Sequence, residues 1–224
     1  MAHYRFGDVP VDSPVPVMWW RSVYASTNSF AHESFIDELA RAAGADPLAF
    51  RRAHLQRPRL QRLLDEVEAA TPWRSRQSMR GRQGWGLSVV EAFGSLVAEV
   101  VCVERTGDRG LRIAGVWVVI DCGWVVNPDT VKAQVEGSVL MGVAAAITHQ
   151  VTFSDGAADR LTFADYPLPQ LGDIYPVHVH IVPTDDDPGG VGEPALPGIA
   201  PALANAVFDL TGTRHRSLPF RLGA

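Results

Sequence analysis

Apolar and polar residues in the first third of the chain follow the period of an α-helix. Between Ser29 and Leu55, apolar side chains recur at spacings of three and four residues, which places them on one helical face. Gly44 indicates the end of one helix, and Asp46 followed by proline indicates the capped start of the next. Gln61–Ala70 predicts a further helix, which the Thr-Pro pair after it would end.

From Gly84 onward the pattern is that of β-strands. Val97–Glu104 and Leu111–Ile120 are rich in valine and isoleucine and flank a short glycine-containing turn, which is typical of a β-hairpin. Asn127 then indicates the N-cap of a helix over Thr130–His149, whose middle consists of small residues. Such a surface lets another backbone or a ligand come close.

The remaining elements complete the predicted fold. Val177–Val182 predicts another strand, and Ile199–Thr211 predicts a final helix. The order of helices, hairpin, helix, strand and helix predicts an α+β fold. We expect two regions: an extended lead-in and helical segment over residues 1–83, and a C-terminal α+β lobe over residues 84–224.

Composition narrows the classes of function. The net charge is −5, which gives no reason to expect a nucleic-acid partner. Basic residues crowd between Arg51 and Arg82, but acids separate them, so we interpret them as a solvated helix face. Two cysteines, Cys102 and Cys122, are too few for a disulfide framework or for an iron–sulfur cluster, which needs about four thiolates. Any redox chemistry therefore needs electron carriers on another chain or a centre that cysteine does not hold.

Membrane and export signals are not evident. No stretch approaches the roughly twenty consecutive apolar residues that span a bilayer. Residues 1–12 lack the positive and apolar regions of a secretory signal. The sequence predicts a soluble chain, and the compartment, cytoplasmic or periplasmic, stays open.

The loop from Asp185 to Pro197 is the first candidate for chemistry. Three glycines and a proline precede one carboxylate, Glu193. Glycines let a bulky group approach the chain. An acid beside an apolar helix start could lose solvent and gain the basicity that a catalytic base needs. The alternative is an exposed turn acid before a helix N-terminus, which attracts acids in any case.

Two further stretches could bind a ligand. Gln134 and Gly137 lie near the start of a helix with a small-residue surface, where an amide and free N–H groups could hold a phosphate or a pterin edge. The alternative is a core helix with Gln134 at its solvated end. Phe93, Gly94 and Ser95 precede a β run and predict either a ligand-facing turn or a strand entrance with a glycine kink.

Histidine and aspartate patterns do not predict a metal site. His178 and His180 share one face of a strand, but no third ligand follows at a familiar spacing, so we interpret them as a polar strand face. The run of aspartates over residues 185–187 lacks the spaced ligands of a calcium loop and indicates a solvated loop tip.

Taken together, four ordered stretches resemble the molybdenum-cofactor subunit of xanthine-dehydrogenase-type hydroxylases. Residues 116–137 (VWVVIDCGWVVNPDTVKAQVEG) resemble the strand-to-helix motif of that family, and residues 189–208 (GGVGEPALPGIAPALANAVF) resemble the loop and helix that carry its glutamate. Residues 19–55 and 89–100 are similar to the isoquinoline-oxidoreductase-like branch. The resemblance is weakest between Gln56 and Gln83.

This resemblance implies the C-terminal part of a molybdenum cofactor-binding domain. Family members hydroxylate an N-heterocyclic aromatic or an aldehyde with water as the oxygen source. Glu193 would be the base that takes the proton of the attacking hydroxyl. Gln134 would bind the pterin or its dinucleotide tail. The resemblance places these residues at the cofactor: Gln134, Gly137, Phe93, Gly94, Ser95, Gly192 and Arg21.

The resemblance also implies a cofactor and partners. The cofactor would be molybdopterin cytosine dinucleotide, and electrons would pass to a [2Fe-2S] small subunit. Because the chain is much shorter than the usual subunit, the N-terminal part would come from another chain. Met141 stands where many members carry a glutamine before the glycine. The alternatives are an inactive truncated fragment or an assembly module; a hydrolase that uses Glu193 has no nucleophile or oxyanion pattern to support it.

Overall fold

A computed structural model of the chain describes residues 5, 7, 9–107, 110–170 and 175–222. Most of the first eight residues, part of the hairpin turn and the last two residues lie outside the described ranges. Half of residues 1–12, on which the expectation about a secretory signal rests, therefore lie outside the described ranges.

The N-terminal segment forms three helices, as the apolar spacing predicts. They are α1 (Val23–Ala42), α2 (Pro47–His54) and α3 (Pro58–Ala70), and a 3-10 helix over Pro72–Met79 follows. The carboxylate of Asp46 accepts hydrogen bonds from the first backbone N–H groups of α2, which confirms the predicted cap. The first helix begins earlier than predicted because its opening residues have no clear apolar period.

The rest of the chain forms a sheet and two long helices. The elements are β1 (Gln83–Ala92), β2 (Ser95–Thr106), β3 (Gly110–Asp121), α4 (Pro128–Ile147), β4 (Phe153–Ser154), β5 (Ala157–Ala158), β6 (Val177–Ile181) and α5 (Ile199–Thr211). The sheet has the order β1-β2-β3-β6, with β1, β2 and β3 antiparallel and β6 parallel to β3. The predicted hairpin and both predicted helices are confirmed, and a short hairpin, β4-β5, lies outside this sheet.

Helices cover both faces of the four-stranded sheet. Side chains of α4 and α5 pack on one face around Val101, Val118 and Leu203, and side chains of α2 and α3 pack on the other around Leu64 and Val100. This mixture of helix and strand confirms the α+β class. None of the described helices combines the length and apolar character needed to cross a bilayer.

Two glycines bring α5 unusually close to β1. A Cβ atom at Gly86 would lie 2.0 Å from the carbonyl oxygen of Ala202, and one at Gly84 would lie 2.2 Å from that of Ala206. Only glycine therefore fits at either position. The contact fixes α5 along β1, and it sets the position of the loop that precedes α5.

Two expectations about the N-terminal helices need correction: an apolar buried face on the first helix, and a solvated face for the basic residues. The buried face of α1 carries Glu33 and Asp37, while Phe35 is exposed. Arg51 is fully buried and pairs with Glu33 at 2.8 Å, so the basic segment is not a solvated face throughout. Ion pairs formed by residues distant in sequence override the local apolar period here.

Candidate functional site

The glycine-rich loop packs against the turn between β1 and β2. The backbone N–H of Gly190 donates to Phe93 O at 2.7 Å, and the hydroxyl of Ser95 donates to Gly190 O at 2.6 Å. A Cβ atom at Gly189 would lie 2.4 Å from Ser95 Oγ. These contacts hold the loop directly on the turn, which explains why glycines are needed there.

The turn itself has an uncommon backbone conformation. Phe93 and Gly94 have φ angles of 54° and 78°, in the left-handed region. They join β1 to β2, while Ser95 is fully buried and its hydroxyl is engaged by the loop. The segment is thus a strand entrance, with Gly94 exposed at its tip, and the interpretation as a ligand-facing turn stays a prediction. The cofactor roles of these residues stay predictions.

Glu193 is half-buried and is held by Ser22, a residue that the sequence did not single out. Its Oε1 atom accepts a hydrogen bond from the backbone N–H of Ser22 at 3.0 Å. Ser22 Oγ donates to the Glu193 carbonyl at 2.6 Å. Glu193 precedes the first residue of α5 by six positions and is not in its first turn. The interpretation as an acid attracted by a helix terminus therefore does not fit.

Arg21 connects the loop to α4. Its Nε donates to Gly192 O at 2.7 Å, and its Nη2 donates to Gln134 Oε1 at 3.0 Å. Burial lowers the pKa of Arg21, and the nearby charge of Glu193 opposes that shift. Arginine stays charged in any case. Four residues that the resemblance assigned to the site, Arg21, Gln134, Gly192 and Glu193, therefore meet at one surface.

The same surface leaves room for a ligand. A Cβ atom at Gly192 would meet nothing within 4 Å, and one at Gly137 would meet only Arg21 Nη1 at 3.9 Å. The Gln134 side chain between them in this arrangement belongs to an exposed residue. An open, polar surface beside two glycines suits a flat polar group that approaches the backbone closely.

An aspartate at the end of β3 links the surrounding elements. Asp121 is fully buried and accepts from Arg59 at 2.9 Å and from Arg62 at 3.2 Å. Burial raises the pKa of Asp121, but hydrogen bonds from the two guanidinium groups outweigh it, and the net pKa is lowered. Arg59 also donates to Gly94 O at 3.2 Å, so α3 supports the turn. A lone acid after a buried strand is the signal that could have indicated this residue.

The histidines and the aspartate run agree with their interpretation as polar surface. His178 is exposed and stacks on Trp117, and His180 Nε2 lies 2.9 Å from Glu66 Oε2. Residues 185–187 are exposed, and Asp186 pairs with Arg62 at 2.7 Å. The described ranges contain no group of three or more histidine, cysteine or acidic side chains that could hold a metal ion.

Comparisons of the sequence with a family model and with known proteins point to the same family. The sequence model of the molybdopterin cofactor-binding domain matches residues 30–175. The chain is 35% identical to the beta subunit of isoquinoline 1-oxidoreductase from Brevundimonas diminuta, over 92% of this chain and 27% of that protein. It is 33% identical to a nicotinate dehydrogenase subunit from Pseudomonas putida, over 96% of this chain and 20% of that protein. The chain thus spans about a quarter of the length of these relatives.

A solved structure supports the same fold. The aldehyde oxidoreductase from Desulfovibrio desulfuricans superposes with a TM-score of 0.76 over 91% of this chain and 40% of that chain. The two sequences are only 14% identical, so the likeness concerns the fold alone. It shows that nearly the whole chain has the arrangement found in part of that enzyme.

Proposed function

We propose that this chain, which belongs to the molybdopterin cofactor-binding domain family, is part of a molybdenum hydroxylase. The reaction adds the oxygen of water to a carbon atom, and it releases two protons and two electrons for each substrate. We infer an N-heterocyclic aromatic compound or an aldehyde as the substrate class. The names of the relatives, which include isoquinoline and nicotinate enzymes and aldehyde oxidoreductases, support this range.

One observation carries the proposal: Arg21 bridges Gln134 and Gly192 beside Glu193. Its hydrogen bonds hold the Gln134 amide and the Gly192 backbone together next to the Glu193 carboxylate, so three distant segments of the chain meet at this point. A structural loop would not need an exposed amide and open space at this point. A binding site does, because its polar groups must face the ligand.

The residues present fit the polar edge of a pterin cofactor. Gln134 offers both a donor and acceptors, and Arg21 adds a fixed positive charge that suits a phosphate. Gly137 and Gly192 leave the space that a close approach requires. When bound, the cofactor supplies the two-electron redox chemistry. Its cytosine dinucleotide form is part of the proposal.

Glu193 is proposed as the base. The Ser22 N–H holds Oε1, and within the described ranges no group donates to Oε2, which leaves that oxygen free to accept a proton. Half-burial keeps part of the solvent away, while the Ser22 contacts fix the orientation of the carboxylate. The chain's own contribution is thus to place a proton acceptor at a defined position.

Electron transfer requires a partner. The two cysteines are buried, and they are too few for an iron–sulfur cluster. We infer a [2Fe-2S] protein as the electron acceptor. We also infer that the rest of the molybdopterin-binding subunit, since this chain covers only about a quarter of its relatives, is needed to complete the site. Four large apolar residues, two just before Arg21 and two just before α4, are exposed and suit a contact with it: Met18, Trp19, Trp124 and Val126.

The test is the molybdenum and pterin content of the purified chain, measured alone and after co-production with the front part of the subunit. Stoichiometric molybdenum and pterin in the complex, with little in the chain alone, would support the proposal. If neither preparation contains molybdenum, an inactive fragment or an assembly module becomes the better interpretation.

A further inference from the structure

Glu99 is a buried acid that the proposed reaction does not use. It lies on β2, is 1% exposed, and is paired in register with Ser88 on β1 and Val118 on β3. Among the described residues, none donates a hydrogen bond to its Oε1 atom, and burial raises its pKa well above the usual range. An unpaired buried carboxylate is costly, so this position needs an explanation.

The hydroxyl of Ser88 lies close to both Glu99 and Gly198. Ser88 Oγ lies 2.8 Å from Gly198 O and 3.5 Å from Glu99 Oε2. A serine hydroxyl has one proton to donate, and the nearer carbonyl can only accept. With the Ser88 proton directed to Gly198 O, the longer contact leaves Ser88 Oγ able to accept from Glu99 in the neutral form that burial favours.

Glu99 and Ser88 lie directly beneath the junction between the Glu193 loop and α5. A Cβ atom at Gly198 would lie 2.2 Å from Glu99 Oε2 and 2.5 Å from Ser88 Oγ. No side chain fits between the junction and the sheet. The acid and the serine therefore set how closely the start of α5 approaches β1 and β2.

Two turn hydrogen bonds connect this junction to Glu193. The N–H of Ile199 donates to Leu196 O at 3.3 Å, and the N–H of Leu196 donates to Glu193 O at 3.2 Å. Ser22 Oγ holds the same Glu193 carbonyl from the opposite side. A displacement at Gly198 would therefore change the position of Glu193.

We propose that Glu99, as a neutral acid, is a positioning residue that fixes the Glu193 loop on the sheet through Ser88 and Gly198. Its consequence for catalysis rests on the proposed function of Glu193. The positioning itself does not, because it can be measured without the cofactor.

The test is amide hydrogen exchange at Leu196 and Ile199 in the full 224-residue chain. In Glu99→Ala, exchange at both amides should be about tenfold faster, since the buried contact between Glu99 and Ser88 is lost. Glu99→Gln, which can still donate to Ser88, should stay within about twofold of the wild type. Ser88→Ala should reproduce the acceleration, and it provides a second variant if Glu99→Ala does not fold.

Val101→Ala is the matched control. Val101 is fully buried in the core cluster on the same strand, and its truncation should lower overall stability without touching Gly198. Equal acceleration in Val101→Ala would overturn the proposal, and so would wild-type exchange in both Glu99→Ala and Ser88→Ala. If Glu99→Gln exchanges as fast as Glu99→Ala, the neutral-donor role is wrong.

A readout in the assembled enzyme separates this inference from the proposed function. Glu99→Ala should lower kcat about tenfold or more with unchanged molybdenum content. The base acts on substrate that is already bound, so its displacement slows turnover. If no preparation binds molybdenum, the proposed function fails, while the exchange result still decides the positioning role.

Discussion

Ser22 makes two hydrogen bonds to Glu193, one from its backbone and one from its side chain. Its backbone N–H binds the Glu193 carboxylate and its hydroxyl binds the Glu193 carbonyl, while its own φ angle of 74° lies in the left-handed region. A non-glycine residue keeps such a conformation only where surrounding contacts stabilise it. The strain at Ser22 thus coincides with the contact that orients the proposed base.

Replacing Ser22 by alanine should lower the free energy of unfolding by about 1–2 kcal/mol, since the Glu193 carbonyl loses the shorter of its two hydrogen bonds. Urea unfolding of the chain measures this change. Ser26→Ala is the control, because among the described residues the Ser26 hydroxyl donates to Val23 O, within α1. Equal unfolding midpoints for wild type and Ser22→Ala would show that the contact does not stabilise the loop.

At the residue scale, the sequence did not indicate how the predicted site residues are held. Resemblance pointed to Arg21, Gln134 and Glu193, and the structure brings them together. Ser22 and Asp121 were not predicted, because their partners lie more than fifty positions away in the chain. No local pattern reports such contacts.

Helix α4 presents two glycines with opposite surroundings. A Cβ atom at Gly142 would lie 2.9 Å from Ile199 Cβ and 3.2 Å from Leu196 O, so this glycine allows α4 to pack on α5. At Gly137 the space is open. One helix therefore uses one glycine for packing and leaves the other at the candidate site.

These surroundings predict opposite effects of alanine. Gly142→Ala should destabilise the chain by about 1–3 kcal/mol through overpacking. Gly137→Ala should stabilise the cofactor-free chain by up to about 1 kcal/mol, since alanine favours a helix interior. Thermal unfolding of both variants tests the pair. A stabilising Gly142→Ala would contradict the close packing of α4 on α5.

At the element scale, prediction succeeded where local signals were strong. Helix α5 has the predicted bounds, and Asn127 caps α4 as expected. Strand β1 was missed as a full strand because Gly84 and Gly86 interrupt its alternation, and these glycines are required by α5, which lies far along the sequence. Packing between elements therefore decided what the local pattern could not.

Asp121 joins three parts of the whole molecule. It pairs with Arg59 and Arg62 of α3 at the end of β3, and the same arginines reach the β1–β2 turn and Asp186. Its pKa in the folded chain lies below the ordinary value of 3.8. The ionised carboxylate therefore stabilises the fold above that value, and this contribution is lost as the pH falls through the lower folded pKa.

Asp121→Asn should accordingly cost about 1.5–3 kcal/mol of stability near neutral pH, with the difference shrinking in acid. Urea unfolding of both proteins at about pH 7 and at about pH 3 measures this. Asp65→Asn is the matched control, because Asp65 pairs with Arg52 while largely exposed. A cost that is equal at both pH values would contradict the electrostatic role of Asp121.

The central claim is that Glu193 is the base of a molybdenum-dependent site. The most direct measurement is dye-coupled oxidation of an N-heterocycle or an aldehyde by the assembled enzyme, with molybdenum content determined on the same samples. Glu193→Gln should lose activity by about a hundredfold or more while keeping its molybdenum. The exposed Glu136→Gln on α4 should keep both. Wild-type turnover in Glu193→Gln at full molybdenum content would contradict the account.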